Sequence, residues 1–127
     1  MIVGIGVDIT SVSRIATAHA RFRERFARRI LDTEELAEYA DRAEPVPFLA
    51  KRFAIKEAAV KALGTGEREG VLLRHFGVRH DELGRPLLEV SGAAADRCQA
   101  IGVTDSHVSV SDEGDSVVAF VILERLS

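Results

Sequence analysis

The sequence predicts a single α+β domain over residues 1–127, in which a mostly antiparallel sheet packs against a long buried helix. Three observations lead to this fold class. A strand of alternating branched apolar residues and glycines opens the chain, helical segments dominate the rest of the first half, and two hairpin patterns dominate the second half. The predicted order is β-α-α-α-β-β-α-β-β, and a chain of 127 residues can enclose one hydrophobic core.

The first predicted strand runs from Ile2 to Ile9, with branched apolar residues at its odd positions. Gly4 and Gly6 lie on the other face, which ends at Asp8. Because glycine has no side chain, this face permits a close approach to the backbone, including that of a second subunit.

Two helices are predicted next. Thr10 or Ser11 can cap the first, which is expected to continue to about Arg29. A capping-box pattern at residues 32–35 begins an acidic second helix, and the proline-containing segment 44–47 then breaks the chain.

The third helix is predicted from Phe48 to Leu63 and ends at Gly64. It is apolar nearly all round, which is typical of a buried helix. It nevertheless carries five charged residues, which therefore need counter-charges or ligands: Lys51, Arg52, Lys56, Glu57 and Lys61.

The second half is predicted to contain two hairpins and a short helix between them. The predicted elements are strands at Phe76–His80 and Pro86–Val90, a helix at Ala93–Ile101, and strands at Ser106–Ser111 and Ser116–Glu124.

Composition limits the classes of function. A net charge of −3 argues against nucleic acid as the main partner, and no segment is long enough to span a membrane. The apolar start lacks a basic leader, and a single cysteine, Cys98, fits a reducing compartment. We therefore expect a cytoplasmic protein.

Arginines on the first helix indicate a docking surface for an anionic partner. At about 100° per residue, one sector of roughly 60° contains four arginines beside an apolar stripe. The arginines are Arg14, Arg21, Arg25 and Arg28, and the stripe comprises Ile15, Phe22 and Phe26. The alternative is that the phenylalanines face the core and the arginines are only solvated.

Asp8 and Glu57 are the candidate metal ligands. A strand-end aspartate and a glutamate on a buried helix supply two hard oxygen donors, and Mg²⁺ usually takes one or two protein carboxylates. Lys61, one turn after Glu57, suits a phosphate group. The alternatives are that Asp8 caps the following helix and that Glu57 and Lys61 form an ordinary helix ion pair.

Two further segments are candidates for ligand contact. Gly64-Thr65-Gly66 forms a turn whose amides and hydroxyl can meet a ligand, although most such turns only end a helix. His107 shares one strand face with Ser109 and Ser111, which is either the solvent side or a surface that packs against a nucleotide.

Together these segments resemble the holo-acyl-carrier-protein synthase family of 4′-phosphopantetheinyl transferases. The resemblance covers about a quarter to a third of the chain, in family order and spacing. The segments that carry it are Ile2-Val-Gly-Ile-Gly-Val-Asp8, Arg52-Phe-Ala-Ile-Lys-Glu-Ala-Ala-Val-Lys-Ala-Leu-Gly-Thr-Gly66, Gly84-Arg-Pro86 and His107-Val-Ser-Val-Ser111.

The resemblance implies transfer of phosphopantetheine from coenzyme A to a serine of an acidic acyl carrier protein, with Mg²⁺ as cofactor. It implies that Asp8 and Glu57 hold the metal and that Lys61 contacts phosphate or the incoming hydroxyl. The residues it assigns to the coenzyme A site are Arg52, Gly64, Thr65, Gly66, Arg85, Pro86 and His107. Those it assigns to carrier docking are Arg14, Arg21 and their neighbours Phe22, Arg25 and Arg28.

Relatives of this length are expected to form homotrimers with sites between subunits. The sequence departs from the family at one position, because Asp112 stands where histidine is usual. Two other classes of protein remain possible on the residues alone. A magnesium-dependent nucleotide hydrolase needs the same carboxylates and lysine but not the arginine helix, and a non-catalytic adaptor needs only that helix.

Overall fold

The computed structural model describes residues 1–66 and 68–127. Within these residues the α-helices and β-strands are β1 Ile2–Ser11, α1 Val12–Phe22, α2 Glu24–Ile30, α3 Thr33–Ala40, α4 Pro45–Leu63, β2 Phe76–His80, β3 Pro86–Val90, α5 Gly92–Ala100, β4 Asp105–Glu113 and β5 Ser116–Glu124. None of the described helices is both long and apolar enough to cross a membrane.

All strand pairs are antiparallel, as predicted. A three-stranded sheet has the order β1-β5-β4, and β2 and β3 form a separate hairpin. In the larger sheet, Asp8 lies opposite Ala119, which in turn lies opposite Val110. The α+β fold class with a long buried helix is therefore confirmed.

The buried helix is α4, which packs against the inner face of the three-stranded sheet. A Cβ atom at Gly6 would overlap the carbonyl oxygen of Ala58, and one at Gly4 would overlap that of Ala62. The glycine face therefore receives α4 of the same chain, and the expectation of a close subunit approach at these glycines is wrong. The small residues on both elements allow the helix backbone to lie directly on the strand.

The bounds of α4 follow from its end residues. The helix begins at Pro45, three residues before the predicted start, because proline is tolerated in the first helical turn. It ends at Gly64, whose φ of 78° is the left-handed conformation that glycine adopts without a steric penalty.

The first predicted helix is divided in two. Arg23 has a φ of 50° and separates α1 from α2, so the helix does not continue to Arg29. After this bend, Ala27 and Ile30 of α2 are buried in the core. The predicted 60° sector of arginines is therefore wrong, since it assumed one continuous helix.

The outer face of the three-stranded sheet is apolar and exposed. The residues there alternate with those that face α4, and several keep a large fraction of their surface accessible. They include Ile5 (55%), Val7 (43%), Ile9 (72%), Val118 (37%) and Phe120 (45%).

Candidate active site

A cleft of about 340 Å³ opens where β1, α1 and α4 meet. Asp8 and Glu57 both line it, together with Arg14 of α1. Phe26 and Phe53 contribute apolar wall. The structure therefore brings the two predicted metal ligands and one predicted docking arginine to one place.

Asp8 is held by two neighbouring side chains. The Thr10 hydroxyl donates a hydrogen bond to Asp8 Oδ2 at 2.5 Å, and Lys61 Nζ donates to Oδ1 at 3.3 Å. Lys61 Nζ also donates to the Val7 carbonyl at 3.0 Å. The Asp8 side chain is only 13% exposed, whereas that of Lys61 is 54% exposed. Lys61 and Asp8 thus form an ion pair at the cleft.

Local structure explains how these groups meet. Strand alternation points Asp8 toward α4, on the same face as Gly6. Glu57 and Lys61 are four residues apart and so lie on one side of α4. The cap of α1 is Ser11, whose hydroxyl accepts a hydrogen bond from the Arg14 amide at 3.3 Å. The alternative in which Asp8 caps that helix is therefore wrong.

Arg52 and Lys56 lie on another side of α4. At about 100° per residue, Arg52 is rotated about 140° from Glu57. Arg52 Nη1 donates to Glu35 Oε2 at 3.0 Å and to Glu38 Oε1 at 3.3 Å. Its guanidinium also stacks over the Phe48 ring, 4.4 Å from the centroid. The structure thus places Arg52 in an internal ion-pair network and not beside Asp8.

Glu35 is the centre of this network. Its carboxylate accepts hydrogen bonds from Lys56 Nζ, from Arg52 and from the Val78 amide. It also accepts the Asp32 amide, completing the predicted capping box. Burial lowers the pKa of Lys56, while the opposing charge of Glu35 acts to raise it. An acid of the same chain thus supplies the counter-charge for two of the five charged residues of the helix, Arg52 and Lys56.

The central place of Glu35 in this ion-pair network has no signal in the sequence beyond the capping pattern. Its partners lie 17 and 21 residues further along the chain, so only the folded structure brings them together. The same holds for Lys51, which pairs with Asp112 at 3.7 Å. This contact gives Asp112, the residue that departs from the family pattern, a partner at the surface.

Apart from Arg52, the predicted coenzyme A contacts lie at three places on the surface. Gly64, Thr65 and Gly66 follow α4, and the Thr65 hydroxyl donates to the Gly66 carbonyl at 3.1 Å. Arg85 pairs with Asp81 at the tip of the β2–β3 hairpin, immediately before Pro86.

His107 lies on the outer face of the three-stranded sheet, away from Asp8. Its Nε2 is 2.9 Å from Glu124 Oε1. Because Asp8 faces inward and His107 faces outward, one copy of the chain does not bring them together.

The predicted docking residues occupy α1 and α2. The Arg21 and Arg25 guanidinium groups lie 5.1 and 5.9 Å from the centroid of the Phe22 ring. Phe22 is 41% exposed, whereas Phe26 packs against the core. Arg28 pairs with Glu24 at 3.5 Å. The alternative in which both phenylalanines face the core thus holds for Phe26 alone.

Histidine, cysteine, aspartate and glutamate side chains are the usual protein ligands of metal ions. Within residues 1–66 and 68–127, no three histidine, cysteine, aspartate or glutamate side chains form a metal-binding group.

Comparison with known proteins gives the family. Residues 4–121 match the 4′-phosphopantetheinyl transferase superfamily. The chain is 50% identical to the holo-[acyl-carrier-protein] synthase of Vibrio cholerae serotype O1, over 98% of this chain and 99% of that protein.

Two solved structures are similar along their whole length. The holo-[acyl-carrier-protein] synthase of Neisseria meningitidis matches with a TM-score of 0.91 and 46% identity, over 98% of this chain and 100% of that one. That of Bacillus anthracis, in complex with CoA (3′,5′-ADP), matches with a TM-score of 0.80 and 35% identity, over 99% of both chains. The chain belongs to the 4′-phosphopantetheinyl transferase superfamily.

Proposed function

We propose that this protein is a holo-acyl-carrier-protein synthase, which transfers 4′-phosphopantetheine from coenzyme A to a serine of an apo acyl carrier protein and releases 3′,5′-ADP. The observation that carries the proposal is the cleft in which Asp8, Glu57 and Arg14 meet, with Lys61 bound to Asp8. The product serves fatty-acid or polyketide biosynthesis.

The reaction is a displacement at phosphorus. The serine oxygen forms a bond to the β-phosphorus of coenzyme A, and the bond from that phosphorus to the bridging oxygen breaks, so that 3′,5′-ADP leaves. Lys61 stabilises the negative charge of the phosphates from the cleft edge. Glu57 accepts the serine proton, directly or through a water molecule.

The donor set in the cleft fits Mg²⁺. Asp8 and Glu57 provide two carboxylates, which is the usual protein contribution to a site completed by water and phosphate oxygens. A bound magnesium ion would neutralise the pyrophosphate charge. Thr10, by donating to Asp8 Oδ2, fixes the orientation of that carboxylate.

Coenzyme A binding is assigned to the turn Gly64-Thr65-Gly66 and to Arg85, Pro86 and His107. The turn continues directly from the helix that carries Glu57 and Lys61, which supports a contact near the phosphates. Arg52 is 5% exposed and paired with Glu35, so a direct contact with coenzyme A would require that network to open.

A homotrimer is the proposed assembly. A large exposed apolar surface on a soluble protein is typical of a protein interface, and the outer sheet face has this character. His107 lies on that face, which supports a site in which His107 of one subunit approaches the cleft of a neighbour. We propose that the protein is cytoplasmic, because its single cysteine, Cys98, fits a reducing compartment.

The carrier protein is proposed to dock on α1 and α2. Arg14 lines the cleft itself, while Arg21 and Arg25 flank the exposed Phe22 ring. A cationic surface around one exposed aromatic residue suits an acidic amphipathic helix.

Incubation with coenzyme A, magnesium and an apo acyl carrier protein tests the function. We expect the carrier mass to rise by one phosphopantetheine group, with equimolar release of 3′,5′-ADP. Cleavage of coenzyme A with no change in the carrier would indicate a nucleotide hydrolase instead. Carrier binding that needs no coenzyme A and gives no product would indicate an adaptor.

A further inference from the structure

The turn between β4 and β5 holds the start of α1. Asp115, in this turn, accepts hydrogen bonds from the Ser11 hydroxyl at 2.7 Å and the Ser13 hydroxyl at 2.9 Å. Its carboxylate also accepts the Ser13 amide at 2.9 Å, and its carbonyl accepts the Val12 amide at 2.8 Å. One residue more than 100 positions away in sequence thus binds the first two amides of the helix.

These contacts are favourable for physical reasons. The first amides of a helix have no partner inside the helix, and a carboxylate at this end interacts well with the helix dipole. Hydrogen bonds from Ser11 and then Ser13 lower the pKa of Asp115. The carboxylate therefore keeps its negative charge, and its acceptor capacity, at neutral pH.

The position of α1 matters for the cleft. Ser11 ends β1, three residues after Asp8, and Arg14 lines the cleft from the first turn of α1. The direction in which α1 leaves β1 therefore sets the distance between Arg14 and Asp8. Asp115 fixes that direction from the opposite end of the chain.

We propose that Asp115 is a positioning residue, which anchors the first turn of α1 so that Arg14 meets the acyl carrier protein beside Asp8. The inference rests on the proposed function. Asp115 itself touches neither substrate in this proposal, and it acts through the helix.

Electrostatics alone makes the opposite prediction, which gives a sharp test. Removing a negative charge near a docking surface should strengthen binding of an acidic carrier, since repulsion is reduced. Loss of a positioning contact should weaken it. Asp115→Asn and Asp115→Ala are therefore compared with Glu113→Ala, which removes an exposed acid from the same hairpin.

The measurement is steady-state transfer to an apo acyl carrier protein, with coenzyme A and magnesium. For Asp115→Ala we expect the KM for the carrier to rise about three- to tenfold, equivalent to at most about 1.4 kcal/mol of binding free energy. The KM for coenzyme A and kcat at saturating carrier should change little. Glu113→Ala should leave the carrier KM at or below the parent value.

A double variant tests whether Asp115 acts through Arg14. If it does, Asp115→Ala should add little to the effect of Arg14→Glu, because coupled residues are not additive. An unchanged carrier KM in Asp115→Ala, with a raised one in Arg14→Glu, would overturn this inference and leave the proposed function intact. Fully additive effects would also overturn it. No transfer by the parent protein would overturn both.

Discussion

Lys56 of α4 and Glu35 of α3 form an ion pair in which both side chains are completely buried. Arg52 and the Val78 amide also donate to Glu35, so its charge is matched by several donors. These contacts tie α4 to α3 and β2. Since α4 also carries Glu57 and Lys61 on another side, the network holds the active-site helix in place. Buried charges of this kind are tolerated only when they are paired.

Lys56→Met is expected to destabilise the fold. Removing one partner of a buried pair typically costs about 3–5 kcal/mol, and the remaining Arg52 contact should keep the loss near the lower end. Glu35→Gln should lower the free energy of unfolding by more, because the side-chain nitrogen of the glutamine would face hydrogen-bond donors. Urea unfolding measures both.

The matched control for this prediction is Lys51→Met, the same substitution on the same helix. The ion pair of Lys51 with Asp112 is about half exposed, so the expected change is within about 0.5 kcal/mol. Equal losses for Lys51→Met and Lys56→Met would contradict the role of the buried pair.

Two histidines should make the stability of the fold depend on pH. Burial, and secondarily Arg23, lowers the pKa of His19, and burial with Arg74 lowers that of His75. The unfolded chain therefore binds protons more readily than the folded one below the ordinary histidine pKa. The contribution of the two neutral histidines to the free energy of unfolding is fully present above about pH 6.5. It is lost as the pH falls towards the lower pKa values that these histidines have in the folded state.

Unfolding in urea between about pH 7.5 and pH 5 checks this expectation. The parent should lose stability on acidification, and a His19→Gln/His75→Gln variant should lose less. His75 offers a structural reason, because its Nδ1 accepts the Leu72 amide at 3.1 Å and cannot do so once protonated. The same loss in both proteins would assign the pH dependence to other groups.

Local patterns predicted much of this fold. The capping box at Asp32 and Glu35, the end of α4 at Gly64 and both hairpins depend on residues close in sequence. The bend at Arg23 was not predictable, because a positive φ is rare for arginine and no local signal marks it.

Partners across the fold were harder to predict than the residues that need them. The sequence indicated that the charges on α4 require partners, but several of these lie on α3, far along the chain. Likewise the glycines of β1 indicated a close neighbour without showing that it is α4. Asp8 and Glu57 were predicted as candidate ligands because Asp8 ends the glycine face of a strand and Glu57 is a charge on a helix that is apolar nearly all round.

Asp8→Asn and Glu57→Gln are expected to reduce transfer about 100-fold or more, as loss of a metal ligand commonly does. Both changes keep side-chain size, so the fold should survive. Transfer rates at increasing magnesium concentrations provide the measurement, with Asp112→Asn, an exposed acid, as the control. Parent activity in either variant, with magnesium still required, would remove the assignment.

A charge on the outer sheet face should prevent assembly. Phe120→Glu is expected to convert the protein to a monomer of 13.8 kDa, because the side chain would be buried in the interface. Leu83→Glu is the control, since Leu83 is 96% exposed at the tip of the β2–β3 hairpin. Sedimentation distinguishes the species. A parent protein that is a fully active monomer would exclude the trimer.

The docking surface gives the last prediction. Reversing Arg14 and Arg21 to glutamate should raise the KM for the carrier while leaving coenzyme A affinity nearly unchanged, because the proposed coenzyme A contacts lie on other elements. Raising salt from about 50 to about 500 mM should weaken carrier binding by the parent far more than by the variant. The reason is that the Debye length, about 10 Å at 0.1 M salt, shortens as salt rises, so that exposed charges attract each other less. Reversing Arg68 and Arg74, which are exposed between α4 and β2, changes the net charge equally and should have a smaller effect. If the Arg14/Arg21 variant binds carrier as well as the parent does, these arginines are only solvated, and the carrier docks on another surface.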